Sequence, residues 1–159
     1  METLHVDLDR FKKDHWSAEE IECAGLVADF VQKLMNEHDF DYVLSNYAND
    51  SYVQHNRNIA DGIDGLVEVV RAFTQRFPDY CYDVKQILVD GDQVVFHSHV
   101  TMKRTDRGND KKGFNIMDMW KIRDGKIVEH WDTIQPLDGF MRFYVLVNGG
   151  KIRNTNGVF

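Results

Sequence analysis

Two strand-like segments carry the side chains best suited to chemistry. In Asp124-Gly125-Lys126-Ile127-Val128-Glu129-His130-Trp131-Asp132, strand alternation puts Val128, His130, Asp132 and Ile134 on one face. His130 and Asp132 then stand roughly 7 Å apart among branched aliphatics. A carboxylate in apolar surroundings resists ionising, which makes it a stronger base towards a carbon-bound proton. The same spacing also fits an Asp–His pair on an exposed sheet face. The second segment, Val95 to Thr101, aligns His97 and His99 at i, i+2, and His55 and His130 could add to a ligand set. No His-Glu-x-x-His or comparable tight signature accompanies them, so the expectation is hydrogen-bonding or structural histidines and no metal. On a third segment Asp118 shares a face with Phe114, Ile116, Trp120 and Ile122. A lone carboxylate there is either buried and partnered or aimed into a pocket.

Other chemistries lack their residues. No Gly-x-Gly-x-x-Gly or Walker lysine loop cradles phosphate, and Ser98 sits in no nucleophile elbow. Cys23 and Cys81 are too few and too far apart for a thiolate metal site or a disulfide framework, and read as small core hydrophobes.

The elements that must position these groups follow from periodicity. Ser17-Ala18-Glu19-Glu20 is a capping box, and Ile21, Ala24, Ala28, Val31 and Met35 then recur at helical spacing to about Asn36. Asp39 can cap a short second helix, and Tyr52-Val53-Gln54-His55 is a brief strand followed by the polar loop His55 to Asn58. A third helix presents Ile63, Leu66, Val67, Val70, Phe73 and Phe77 until Pro78 stops it. From Tyr80 the period changes to two. Tyr80–Val89, Gln93–Arg104, Gly113–Arg123 and Lys126–Gln135 read as strands, with Asp90-Gly91 and Asp124-Gly125 as hairpin turns. Helices first and a meander afterwards predict an α+β fold. It is a single cone-shaped domain with N-terminal helices packed on a curved antiparallel sheet, enclosing a cavity for a small molecule.

Composition sets outer limits. The chain has 159 residues, enough for one domain, with 43% hydrophobic and 28% charged residues, an ordinary globular balance. A net charge of −7 repels phosphate backbones and argues against nucleic-acid binding. No stretch approaches the ~20 apolar residues of a membrane span, and Met1 to Trp16 holds no signal-like apolar run, so a cytoplasmic protein is expected.

Taken together, these segments resemble the SnoaL-like polyketide cyclase branch of the nuclear transport factor 2-like superfamily. The resemblance runs from about Ser17 to Pro136, leaving residues 1–16 and 137–159 as extensions. It rests on Tyr52-Val53-Gln54-His55-Asn56 with Asp61-Gly62, and on Asp118-Met119-Trp120-Lys121-Ile122 leading into His130-Trp131-Asp132. It departs at Arg57, where relatives commonly carry proline. The resemblance implies metal-independent, cofactor-free acid–base chemistry on a carbon acid, an aldol-type cyclisation or an isomerisation. Asp132 would be the general base and His130 its partner, with His55, His97, Asp118 and Trp120 as ligand-binding positions. A non-catalytic binder of a small apolar ligand, or a dimerisation module, are the alternatives. A homodimer is expected because Ile127, Trp131, Phe96 and Val100 give the sheet apolar residues that the helices cannot all cover.

Overall fold

The computed structural model describes residues 4–150 and 152–158. Helix α1 (Ala18–Val31) starts where its capping box predicts, with reciprocal bonds between Ser17 and Glu20. It runs on into a π-helical turn (Gln32–Glu37), which His38 closes in the left-handed region at φ 56°. Asp39 caps α2 (Phe40–Tyr47) by accepting from the Tyr42 N–H. After the short strand β1 (Val53–Gln54) comes α3 (Gly62–Arg76), and then strands β2 (Cys81–Asp90), β3 (Gln93–Thr101), β4 (Phe114–Arg123) and β5 (Lys126–Pro136).

The sheet order is β1-β5-β4-β3-β2, with β2 to β5 antiparallel as expected. Asp124 and Gly125 both take positive φ, the geometry a two-residue hairpin needs. The sheet is mixed rather than purely antiparallel, because β1 joins β5 in parallel, pairing Gln54 with His130. A crossover through α3 and the remaining strands makes that parallel pairing feasible. Phe30, Leu34, Ile63, Phe96 and Trp120 are fully enclosed between the helices and the inner sheet face.

Two expectations are corrected by one irregularity. β5 has an extra residue opposite β4: Ile127 pairs with Ile122, while Glu129 pairs with the adjacent Lys121. The bulge at Val128 reverses strand parity, so Ile127 and His130 both face the core although they are three positions apart. Phe96 and Val100 also face inward, and of the residues expected on the outer face only Trp131 stands there. The C-terminal extension folds as well. It forms α4 (Gly139–Asn148), capped by Asp138, and a tail whose residues 152–158 return to the loop after β1.

Candidate functional site

Three strands bring the acidic and imidazole groups together. On the inner face Asp118 of β4 lies directly opposite Asp132 of β5, and Trp120 lies opposite His130. The parallel edge strand and the loop after it then deliver two amides, Gln54 and Asn56. The Asn56 side chain donates from Nδ2 to both oxygens of Asp132, at 2.9 and 2.7 Å. The Gln54 Oε1 accepts from the Asn56 backbone N–H at 2.9 Å and faces His130 Nδ1 at 3.0 Å. A backbone N–H can only donate, so Oε1 is the acceptor of the Gln54 amide and Nδ1 of His130 carries a proton. The other ring nitrogen, Nε2, faces Asp118 Oδ1 at 3.2 Å. One proton therefore lies between Asp118 and His130, on one or the other.

Burial acts hardest on Asp118, which is 2% exposed. Loss of solvation pushes its carboxyl up to about 6; the hydrogen bond and charge of His130 pull it down, and Asp132 adds to the rise. Trp120 stacks behind the His130 ring at 5.2 Å between centroids and holds it flat against β4. The phenols of Tyr52, Tyr80 and Tyr82 are buried nearby and pushed up mainly by desolvation, so they remain neutral at physiological pH.

These groups open on a cavity of about 530 Å³. Its walls are apolar: Leu66, Val70 and Phe73 from α3, Tyr80 just before β2, Phe114 and Ile116 from β4, and Tyr144 and Val145 from α4. Asp118, His130, Asp132 and the loop His55 to Asn58 form its polar side. Asp118, His130 and Asp132 each offer a donor atom within 4.8 Å of the others, a spacing that a cation or a shared proton could occupy. The contacts fit the proton better. Asp118 and His130 point at one another, and an amide donor already engages both oxygens of Asp132.

Asp132, His130 and Asp118 converge on the cavity as the sequence suggested. His55 lies at the rim: it stacks on Trp131 at 4.6 Å, and its nitrogens meet Glu129 Oε1 and the Gly157 carbonyl. His97 does not join them. Strand alternation turns it to the outer sheet face, where Nε2 meets Asn115 Oδ1 at 2.6 Å beside a separate cleft lined by Lys85 and His99. Trp120 is 1% exposed and supports His130 from behind rather than lining the cavity. Gln54, Asn56 and Tyr144 were not anticipated as site residues. Register with β5 would have identified Gln54, since a strand residue beside His130 must share its face, but parallel pairing at an edge leaves no local turn to reveal it.

The profile of the SnoaL-like domain family matches residues 27–130. Among solved structures, a candidate polyketide cyclase from Bacillus cereus is 20% identical, with a TM-score of 0.63 over 81% of this chain and 83% of that one. A candidate SnoaL-like polyketide cyclase from Jannaschia is 14% identical, with a TM-score of 0.63 over 87% of this chain and 99% of that one. AclR, a candidate hydroxylase from Streptomyces galilaeus, is 20% identical, with a TM-score of 0.59 over 86% and 89%. No curated protein sequence matches the chain significantly. Among the described residues no helix is long and apolar enough to cross a membrane.

Proposed function

The chain belongs to the SnoaL-like domain family, and we propose that its cavity performs acid–base chemistry on a carbon acid, with Asp132 as the base. The observation that carries this reading is the clamp on Asp132. A carboxylate on the polar side of a cavity whose other walls are apolar is fixed by the Asn56 amide while retaining lone pairs for a substrate. Asp132 takes a proton from a carbon next to a carbonyl, and the electron pair of the broken C–H bond delocalises onto that carbonyl as an enolate. The enolate then attacks a second carbonyl of the same molecule, or is reprotonated at another carbon. Asp132 returns the proton in either case, so the reaction is balanced without a co-reactant. His130 stands on the same face and holds the neighbouring charge distribution in place.

Deuterium exchange at the α-carbons of 2-tetralone, an apolar bicyclic ketone that fits the cavity, tests the reading by NMR. The protein accelerates exchange over buffer, and Asp132→Asn, which keeps the shape but removes the basic oxygen, slows it by ~10²–10⁴-fold. Exchange at the full rate in the Asn variant would refute the assignment. Binding of 2-tetralone without accelerated exchange would favour the second reading, a non-catalytic ligand carrier, which the predominantly apolar walls support.

A further inference from the structure

Asp118 has one more oxygen than its partners use. Oδ1 meets His130 Nε2, but Oδ2 is buried and has no hydrogen-bond partner among the described residues. Asp118 nevertheless lines the cavity. An unpaired carboxyl oxygen in such a site is destabilising unless something donates to it.

The network decides what that partner must be. Gln54 fixes the His130 proton on Nδ1, so the single proton between the pair lies along the line from Oδ1 to Nε2. Whether Asp118 or His130 holds it, Oδ2 is left as an acceptor. Among the described residues no nearby side chain donates to it: the Asn56 amide is spent on Asp132, the Gln54 amide donates to Tyr52 Oη at 3.3 Å, and the Tyr80 hydroxyl donates to Met35 Sδ at 3.7 Å. Asp132 is itself an acceptor, and its charge raises the basicity of Asp118.

We propose that Asp118 Oδ2 is a recognition point for a ligand hydroxyl, and that the cavity selects hydroxylated rings over their unsubstituted counterparts. The hydroxyl, whether alcohol, phenol or enol, donates to Oδ2, while the remainder of the ring system lies against Phe73, Phe114 and Tyr144. This inference rests on the cavity being the ligand site, as in the proposed function, but not on turnover. The shared proton adds a graded response: a Asp118 carboxyl pushed up to about 6 is a stronger acceptor than an ordinary carboxylate once it ionises.

Titration calorimetry with 2-naphthol and naphthalene, which differ by one hydroxyl, tests it on the full chain at pH 7. The expected result is at least ~10-fold tighter binding of 2-naphthol, the scale of one hydrogen bond to a charged group. Asp118→Leu removes the acceptor and brings the two affinities within about twofold. Asp118→Asn keeps the preference at several-fold. Its Nδ2 can donate to His130 Nε2, leaving its carbonyl oxygen in the place of Oδ2. The wild-type comparison stands even if the Leu variant does not fold. Equal affinity of the two probes for the wild type, or a preference surviving in Asp118→Leu, would overturn the hydroxyl site. If neither probe binds, the cavity is not a ligand site, and both this inference and the carbon-acid reading fall. A 2-naphthol preference without 2-tetralone exchange leaves the hydroxyl site standing and removes only the catalytic reading.

Discussion

The Asn56 amide nitrogen lies within hydrogen-bond distance of both oxygens of Asp132, at 2.9 and 2.7 Å, across 76 residues of chain. Asn56 is therefore a positioning residue for the proposed base. Asn56→Ala leaves the carboxylate in place but frees its rotation. Because a displacement of about 1 Å can cost ~10²-fold in rate, 2-tetralone exchange should fall by about 10- to 100-fold, less than in Asp132→Asn. Loss of the amide should act on kcat more than on KM, since the apolar walls that hold the ring are untouched. An unchanged kcat in Asn56→Ala would show that the clamp does not orient the base.

The Asp118–His130 pair makes stability depend on pH. The Asp118 carboxyl is raised in the folded protein from its ordinary 3.8 to about 6, mainly by burial. Folding therefore favours its protonated form. That contribution is fully present below about pH 3.8 and is lost as pH rises through about 6. The difference corresponds to ~3 kcal/mol. Urea midpoints measured between pH 4.5 and 7.5 should thus carry a downward component towards high pH that Asp118→Asn lacks. Parallel pH profiles for the two proteins would contradict this.

The inner site and the outer supports differ in how far sequence reveals them. His130 and Asp132 are two residues apart on one strand, so alternation alone places them together. Asp118 shares their face only because the Val128 bulge shifts β5 by one residue: the two-residue turn alone would set Asp118 opposite Trp131, on the other face. Helix starts at Ser17 and Asp39 were equally legible, since a cap is a local hydrogen-bond pattern. The clamp by Asn56 and the tautomer lock by Gln54 depend on a two-residue edge strand that pairs in parallel with a partner 76 residues away. Nothing local encodes that pairing. The bulge at Val128 was likewise hidden, because one extra residue in a strand leaves the alternation on either side of it intact.

The C-terminal tail fastens the loop that carries the clamp. Asn154 is buried and donates from Nδ2 to the carbonyls of Asn56 and Ile59, at 2.9 and 2.8 Å. Asn156 reaches the Gln54 carbonyl and Asp61 Oδ1, and His55 donates from Nδ1 to the Gly157 carbonyl. Asn154→Ala leaves two carbonyls without that donor, at a local cost of ~1–3 kcal/mol. Amide hydrogen exchange should quicken in residues 54–61 and 152–158, with α1 and β3 unaffected. Exchange unchanged in the 54–61 loop would mean that the tail does not hold it.

The outer face of the sheet carries an apolar row that no helix covers among the described residues. Leu88, Val95, Met119 and Trp131 are consecutive partners across β2, β3, β4 and β5, so their side chains stand side by side on one face. Leu88 is 55% exposed, and Met117, in the adjacent row, is 40% exposed. The remaining three members of the row are only partly buried. A row of this kind on an uncovered sheet favours self-association, and two-fold pairing of identical faces is the commonest solution. The expectation of a homodimer thus rests on a different set of residues from the one strand alternation first suggested, because Phe96, Val100 and Ile127 belong to the core. Val95→Lys places a charge at the centre of the row on an outward-facing position, so the fold tolerates it while a paired face does not. Light scattering should report a dimer for the wild type at micromolar concentration and a monomer for Val95→Lys. Circular dichroism confirms that the variant is folded. A wild-type monomer would refute the pairing outright, and a dimer persisting in Val95→Lys would move the interface elsewhere, with the exposed Phe143 and Leu146 of α4 the next surface to alter.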